Sequence, residues 1–144
     1  MSARKATKYD RYQKSGAKSE IYSDFDNSFL PHPFTGQISR RTNVDAVKMA
    51  LRNLIFTNKY ERLRNPDFGG NIRRYLFETF EPTTAKEMEE EIRSMIENYE
   101  PRAGIVQIKV TPDEDNNSMN IKIVFRVNMV EEKQEVELTL YRVR

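Results

Sequence analysis

The spacing of apolar residues changes once along this chain of 144 residues, and that change constrains its fold more than any other feature. From about residue 43 to residue 99 the apolar residues recur at helical spacing, whereas beyond residue 104 they alternate with polar residues in three runs joined by short polar turns. Such runs predict an antiparallel meander with one packed face and one solvated face. The third run, 134–144, is expected to be an edge strand. The side chains expected on the packed face are Val106, Ile108, Val110, Ile121, Ile123, Phe125, Val127, Met129, Val136, Leu138 and Leu140.

Two long helices are predicted before the meander, over residues 43–58 and 85–99, with a short helix at 71–78 between them. For the second long helix, Thr84 is the predicted N-cap, and Glu87 three residues later completes a capping box. The predicted fold class is therefore α+β. It consists of a small antiparallel β-meander packed against two main α-helices, with an extended basic N-terminal arm.

The first twenty residues differ in composition from the rest of the chain. Residues 1–20 contain six Lys or Arg side chains and almost no aliphatic ones, which is typical of a flexible basic arm. Residues 21–144 are interpreted as a single domain. The formal net charge is only +2, so any basic surface must come from the distribution of charge. Nucleic-acid binding stays a minor alternative, because the acid-rich second helix argues against one continuous basic face.

The amino-acid composition argues against catalytic mechanisms that depend on cysteine or on several histidines. The chain has no cysteine and one histidine, His32, which excludes thiolate catalysis, cysteine-based zinc sites and histidine clusters. Asp113, Asp115 and Asn117 have the spacing that opens a calcium loop, but Val124 stands where the bidentate glutamate is required. No apolar run reaches the roughly 20 residues that span a bilayer. We therefore expect no catalytic residue, cofactor, metal or membrane contact, and a glycosidase that uses two of the many carboxylates is the alternative.

Two opposite charges flank a proline at the end of the second long helix, and this short segment is a candidate functional site. Pro101 ends this helix and fixes the backbone between Glu100 and Arg102. An acid at a helix C-terminus is disfavoured by the helix dipole, so Glu100 needs a compensating charge. That charge is expected either from Arg102 within the chain or from a partner protein. The alternative is a plain helix cap in which Arg102 binds the last carbonyls.

Four sequence segments resemble, in their order and spacing, the baseplate wedge family of sheath initiators. This family is shared by contractile phage tails, type VI secretion baseplates and related contractile systems, and many of its members carry the label "lysozyme-like". The resemblance covers about residues 21–144. The segments are Ala50-Leu51-Arg52-Asn53-Leu54, Asn65-Pro66-Asp67-Phe68-Gly69, Leu76-Phe77-Glu78 and Asn98-Tyr99-Glu100-Pro101-Arg102.

The resemblance implies a structural subunit without catalysis. In the family, the Glu-Pro-Arg motif holds a bundle of neighbouring wedge subunits, which implies that role for Glu100, Pro101 and Arg102. The C-terminal strands resemble a domain of the sheath protein that exchanges strands, which implies that they start the tail sheath by β-augmentation. The residues implied for sheath binding are Ile121, Ile123, Phe125, Val127, Val136, Leu138, Thr139, Leu140 and Tyr141.

The same resemblance implies partners and a location. Other wedge subunits and the tail sheath protein are the expected partners, with tail tube and hub proteins as further candidates. Six copies around a sixfold axis are expected, in the baseplate of a virion tail and after synthesis in the host cytoplasm. The alternatives are a baseplate subunit of a type VI secretion or other contractile injection system, and a lysozyme-like cell-wall glycosidase.

Overall fold

The structure, a computed structural model, describes residues 20–31, 33–128, 130 and 132–142. The predictions for the basic arm up to residue 19, and those for His32 and Met129, lie outside the described residues. The chain divides into two compact units, with the division between Asn43 and Val44. The single domain over 21–144 stays a prediction.

The described elements follow the predicted order of helices and then a three-stranded meander, and two short strands precede them. The 3-10 helix occupies the place of the predicted short helix, and α1 begins where the first long helix was predicted to begin. In chain order the elements are β1 (Ser23–Phe25), β2 (Arg40–Thr42), α1 (Asn43–Phe56), the 3-10 helix (Ile72–Phe77), α2 (Pro82–Tyr99), β3 (Ala103–Asp113), β4 (Ser118–Val127) and β5 (Lys133–Tyr141).

The first unit is built around an antiparallel pair of short strands, β1 and β2. The Asn43 side chain closes this pair, since its Oδ1 accepts hydrogen bonds from the backbone N–H groups of Ile21 and Tyr22. Arg41 and Asp26 form an ion pair across the strands at 2.8 Å. The hydrogen bonds from Ser28 and the positive charge of Arg41 together lower the pKa of the Asp26 carboxyl.

The second unit contains the meander, in which β4 lies between β3 and β5 and pairs antiparallel with both. The alternation predicted for β4 and β5 is confirmed, because every second residue is buried. The buried residues of the two strands that were predicted on the packed face are Ile121, Ile123, Phe125, Val127, Val136, Leu138 and Leu140. The helices contribute stripes at helical spacing, such as Met88, Ile92 and Ile96 of α2. The α+β fold class is thus confirmed.

Two local predictions are wrong. Val106 does not share the packed face of Ile108 and Val110, because a β-bulge between Ile105 and Gln107 shifts the alternation and leaves Val106 43% exposed. Thr84 is not the N-cap of α2, because the helix begins three residues earlier than predicted, with Pro82 in the first helical turn. Proline suits that position, since its missing N–H would be unpaired there in any case.

Candidate functional site

The turn formed by Glu100, Pro101 and Arg102, here called the Glu-Pro-Arg turn, joins the end of α2 to the start of β3. Arg102 donates two hydrogen bonds to the Glu100 carboxylate, from Nε to Oε1 at 2.5 Å and from Nη2 to Oε2 at 2.6 Å. The Glu100 side chain is 8% exposed and that of Arg102 is 31% exposed. Paired bonds between guanidinium and carboxylate are the stronger and geometrically more specific kind of ion pair. The charge of Glu100 is therefore compensated within the turn itself.

The backbone of the Glu-Pro-Arg turn is tied to the sheet. The Ala103 N–H donates to the Glu100 carbonyl at 3.1 Å, and the Asn128 N–H, just beyond β4, donates to the Arg102 carbonyl at 3.2 Å. Pro101 is exposed and its ring fixes the backbone φ angle. The turn therefore presents an exposed proline beside a partly exposed arginine on a well-braced backbone.

A second motif of the sequence braces the same turn from the α2 side. The ring of Phe68 lies 5.1 Å from the ring of Tyr99, the residue that precedes Glu100, and the Tyr99 hydroxyl donates to the Asp67 carbonyl at 2.6 Å. The guanidinium of Arg62 lies 3.9 Å from the centre of the Phe68 ring. The sequence pattern singled out both segments but did not place them side by side. Only the fold brings them together.

The outer edge of β5 is a row of backbone groups that point away from the sheet. The Arg142 N–H donates to the Asn117 carbonyl, which makes these two residues a hydrogen-bonded pair at the end of the β4–β5 ladder. Because bonded and non-bonded pairs alternate in an antiparallel ladder, the N–H and C=O groups of Glu135, Glu137 and Thr139 face outward. No hydrogen bond to these outward groups occurs among the described residues.

The opposite edge of the sheet, that of β3, is closed at Val110 and Pro112 by two features. The Glu89 carboxylate of α2 accepts a hydrogen bond from the outward Val110 N–H at 2.7 Å. Two residues further along, the outward position is Pro112, which has no N–H to offer. Both features block strand pairing at an edge. The two edges of the sheet therefore differ, and β5 carries the open one.

Charged and polar side chains contact one another across the outer face of β4 and β5, and these contacts leave the backbone edge of β5 free. The Lys122 ammonium lies 2.9 Å from Glu137 and 3.0 Å from Glu135 across the strands. The hydrogen bonds that the Lys122 ammonium donates to Glu137 and then to Glu135 raise the pKa of Lys122. Thr139 donates a hydrogen bond from Oγ1 to Oδ1 of its cross-strand partner Asn120 at 2.8 Å. These contacts use side chains only, so the backbone edge of β5 stays available.

The residues predicted to bind the sheath lie on two strands with different surroundings. Ile121, Ile123, Phe125 and Val127 are buried in β4, whose two edges are both paired. Val136, Leu138, Thr139, Leu140 and Tyr141 lie on β5. Their role in sheath binding stays a prediction. The geometry supports an open edge on β5, whereas the β4 residues belong to the central strand and are buried on the packed face of the sheet.

The structure also bears on metal binding and on membrane insertion. Within residues 20–31, 33–128, 130 and 132–142, no three His, Cys, Asp or Glu side chains are placed to hold a metal ion. In the same part of the chain, no helix is both long and apolar enough to cross a bilayer. In the segment whose first residues have calcium-loop spacing, Asp113 accepts hydrogen bonds from the backbone and side chain of Asn116, which is a turn interaction.

Comparison with known proteins shows the family to which this chain belongs. The family model described as "Baseplate wedge protein gp25" matches residues 41–132 of the chain. The chain is also 32% identical over 109 residues to the baseplate wedge protein gp25 of Enterobacteria phage T4, covering 76% of this chain and 82% of that protein. The chain belongs to the gp25 baseplate wedge family. The matched residues include the Glu-Pro-Arg turn and all of β3 and β4.

Solved structures share the fold of this gp25-family chain. A protein of Geobacter sulfurreducens that carries the name tail lysozyme has a TM-score of 0.62 and 24% identity, covering 68% of this chain and 89% of that one. A chain of the anti-feeding prophage baseplate, from a 6-fold symmetrised structure, has a TM-score of 0.59 and 22% identity, covering 83% and 84%. At these identities the likeness is one of fold alone.

Proposed function

We propose that this gp25-family chain is a structural subunit of the baseplate wedge in a contractile phage tail, and that it starts the tail sheath by β-augmentation. In this proposal a strand of a sheath subunit pairs with β5 and extends the meander. The observation that carries the proposal is the difference between the two sheet edges. The edge of β5 offers outward N–H groups at Glu135, Glu137 and Thr139, whereas Glu89 and Pro112 close the edge of β3.

The names of the relatives support the location. The 32% identical protein is a baseplate wedge protein of a phage, which favours a phage tail over a secretion system. The anti-feeding prophage baseplate is a sixfold assembly, which supports six copies of this chain around an axis. The partners in this proposal are other wedge subunits and the sheath protein.

The Glu-Pro-Arg turn is the proposed contact with the neighbouring wedge subunits. Its backbone is braced by Ala103 and Asn128, and its exposed part is the Pro101 ring together with about a third of the Arg102 side chain. A contact surface held in place before binding loses little conformational entropy on association. The Glu100–Arg102 pair thus serves as the internal support of that surface.

The proposal assigns no catalytic role to the chain. Glycoside hydrolysis requires a pair of carboxyl groups, one of which acts as a general acid. Among the described residues the one buried carboxylate is Glu100, and both of its oxygens are held by Arg102. Neither oxygen is presented to a substrate. The fold likeness to a protein named tail lysozyme does not alter this conclusion, since fold alone does not carry function.

A single backbone substitution tests the proposed strand addition. Thr139→Pro removes an outward N–H from β5 and, because that N–H faces away from β4, leaves the internal ladder unbroken. We expect wedges and baseplates that assemble but carry no sheath, as seen by electron microscopy. Thr139→Ala is the matched control, since it loses the Asn120 contact but keeps the N–H, and it should support a sheath of normal length. A normal sheath on a folded Thr139→Pro subunit would refute strand addition at β5.

A further inference from the structure

A groove of about 350 Å³ lies beside the open edge at the end of β5. Its walls are Thr139–Tyr141 of β5, Phe56 of α1, and Arg73, Leu76 and Phe77 of the 3-10 helix. Apart from Thr139 and Arg73, these side chains are apolar or aromatic. Phe77 is 60% exposed, so the groove has a solvent-exposed aromatic wall.

The position of the groove relates it to a strand added at β5. Leu140 lines the groove and its side chain belongs to the packed face of the sheet, where it is 4% exposed. Residues that face each other across two paired strands project to the same side. The residue of an added strand that lies opposite Leu140 would therefore point toward the groove.

The charged groups identified at the groove are positive. Arg73 is part of its wall, and the Arg142 guanidinium lies 5.3 Å from the centre of the Phe77 ring. Arg142 is two residues beyond Leu140, so an added strand has the residue opposite Arg142 two positions from the residue opposite Leu140. In a strand, two such residues share one face. The charge of the groove thus complements a carboxylate at that second position.

We infer that the groove selects the strand that adds to β5. Its occupant is an extended segment of the partner that carries one large apolar side chain opposite Leu140 and a carboxylate two residues away, opposite Arg142. This inference rests on the proposed strand addition and specifies the chemistry of the partner segment. Backbone pairing along β5 accepts many sequences, whereas the groove and its two arginines make recognition depend on the sequence of the added strand.

The inference is tested with synthetic ten-residue peptides of alternating Val and Thr that carry a central Phe. One peptide has Glu two residues from the Phe, a second has Lys in place of Glu, and a third has Ala in place of Phe. Binding to the full-length protein is measured by fluorescence anisotropy. We expect the Phe/Glu peptide to bind at least about tenfold more tightly than either of the others, as for an anchor residue in a pocket.

Variants of the protein test whether the preference for the Phe/Glu peptide arises in the groove. Phe77→Ala removes the exposed aromatic wall and should remove the preference for Phe over Ala, whereas Leu63→Ala, a fully exposed residue that does not line the groove, should leave it unchanged. Arg73→Glu should remove or reverse the preference for Glu over Lys. Arg64→Glu makes the same charge change at an exposed position that does not line the groove and serves as its control.

The possible outcomes distinguish a failure of the groove inference from a failure of the proposed strand addition. If the three peptides bind equally and Thr139→Pro abolishes all binding, strand addition holds and the groove inference fails. If the peptides bind Thr139→Pro as well as they bind the unaltered protein, the proposed strand addition fails. If none of the peptides binds, the groove inference is overturned, and the sheath assay on Thr139→Pro baseplates still decides the proposed function.

Discussion

Arg102 holds the buried carboxylate of Glu100 with two hydrogen bonds across a single proline. The two residues lie two positions apart, so the pair is built by the local chain and does not depend on a distant element. It forms at the place where α2 passes into β3, next to the aromatic contact between Phe68 and Tyr99. The pair is therefore both a support of the fold and part of the surface proposed to contact neighbouring wedge subunits.

We predict that Arg102→Ala leaves the domain folded but prevents assembly of wedges. Loss of the guanidinium leaves a largely buried carboxylate without its partner, so the free energy of unfolding should fall by about 1–3 kcal/mol in urea denaturation. The double variant Glu100→Gln, Arg102→Ala is the control for stability. It should regain part of that loss, because no buried charge remains, and should still fail to assemble. Normal wedges from folded Arg102→Ala would show that the turn has only a local role.

The carboxylate of Glu89 is predicted to keep the β3 edge closed. Glu89→Ala leaves the outward Val110 N–H without its acceptor, which should lower the free energy of unfolding by about 1–2 kcal/mol and favour self-association through β3. Glu89→Gln retains a side-chain oxygen at the same position and should behave like the unaltered protein. Urea denaturation and analytical ultracentrifugation measure the two effects. If the alanine variant is as stable as the glutamine variant, Glu89 does not close this edge.

Gly69 is predicted to be the least replaceable glycine of the second unit. Its φ angle is +95°, and a Cβ there would collide with the backbone carbonyl of Thr57. Gly69→Ala should therefore lower the free energy of unfolding by about 2 kcal/mol or more. Gly104→Ala is the control, because its Cβ would meet only the Arg126 carbonyl at 3.7 Å, and its effect should stay within about 0.5 kcal/mol. Equal stability of the two variants would show that the loop relaxes without cost.

We predict that the purified protein does not cleave cell-wall glycan at any pH. A turbidity assay on bacterial cell walls, with hen lysozyme as the positive control, measures this directly. Glu→Gln substitutions at Glu78, Glu81 and Glu100, and at the acids of α2, should then reveal no catalytic residue. The structural assignment would be wrong if one such substitution abolished a real activity while folding and assembly stayed intact.

Regular patterns in the sequence predicted the parts of the fold that depend on neighbouring residues. The alternation around Ile123 and Val136 predicted two strands with one buried face, and both residues are buried on that face. When short turns join runs in which every second residue is apolar, the runs form adjacent antiparallel strands that bury their apolar face. Tertiary contacts therefore had little left to decide in this part of the fold. The Glu-Pro-Arg turn was identified for a similar reason, since Pro101 and the charges on either side of it act locally.

Tertiary contacts determined the local features of the fold that the spacing of apolar residues does not predict. The bulge that exposes Val106 depends on how β3 pairs with β4, and the start of α2 at Pro82 depends on backbone conformation that Thr84 and its capping pattern did not reveal. The closure of the β3 edge requires Glu89, which lies 21 residues before Val110 in the sequence. A hydrogen bond over that separation leaves no periodic signal.

By itself, then, the sequence determined the fold class, the buried face of β4 and β5, and the turn around Pro101, because each of these depends on the order of nearby side chains. Only the tertiary structure decided that Glu89 closes part of the β3 edge, and that the outward N–H groups of β5 at Glu135, Glu137 and Thr139 meet no other element of the described chain. The physical reason is that protection of a sheet edge depends on hydrogen bonds between that edge and segments that are distant in the sequence. Such bonds involve the same N–H and C=O groups whatever the side chains are.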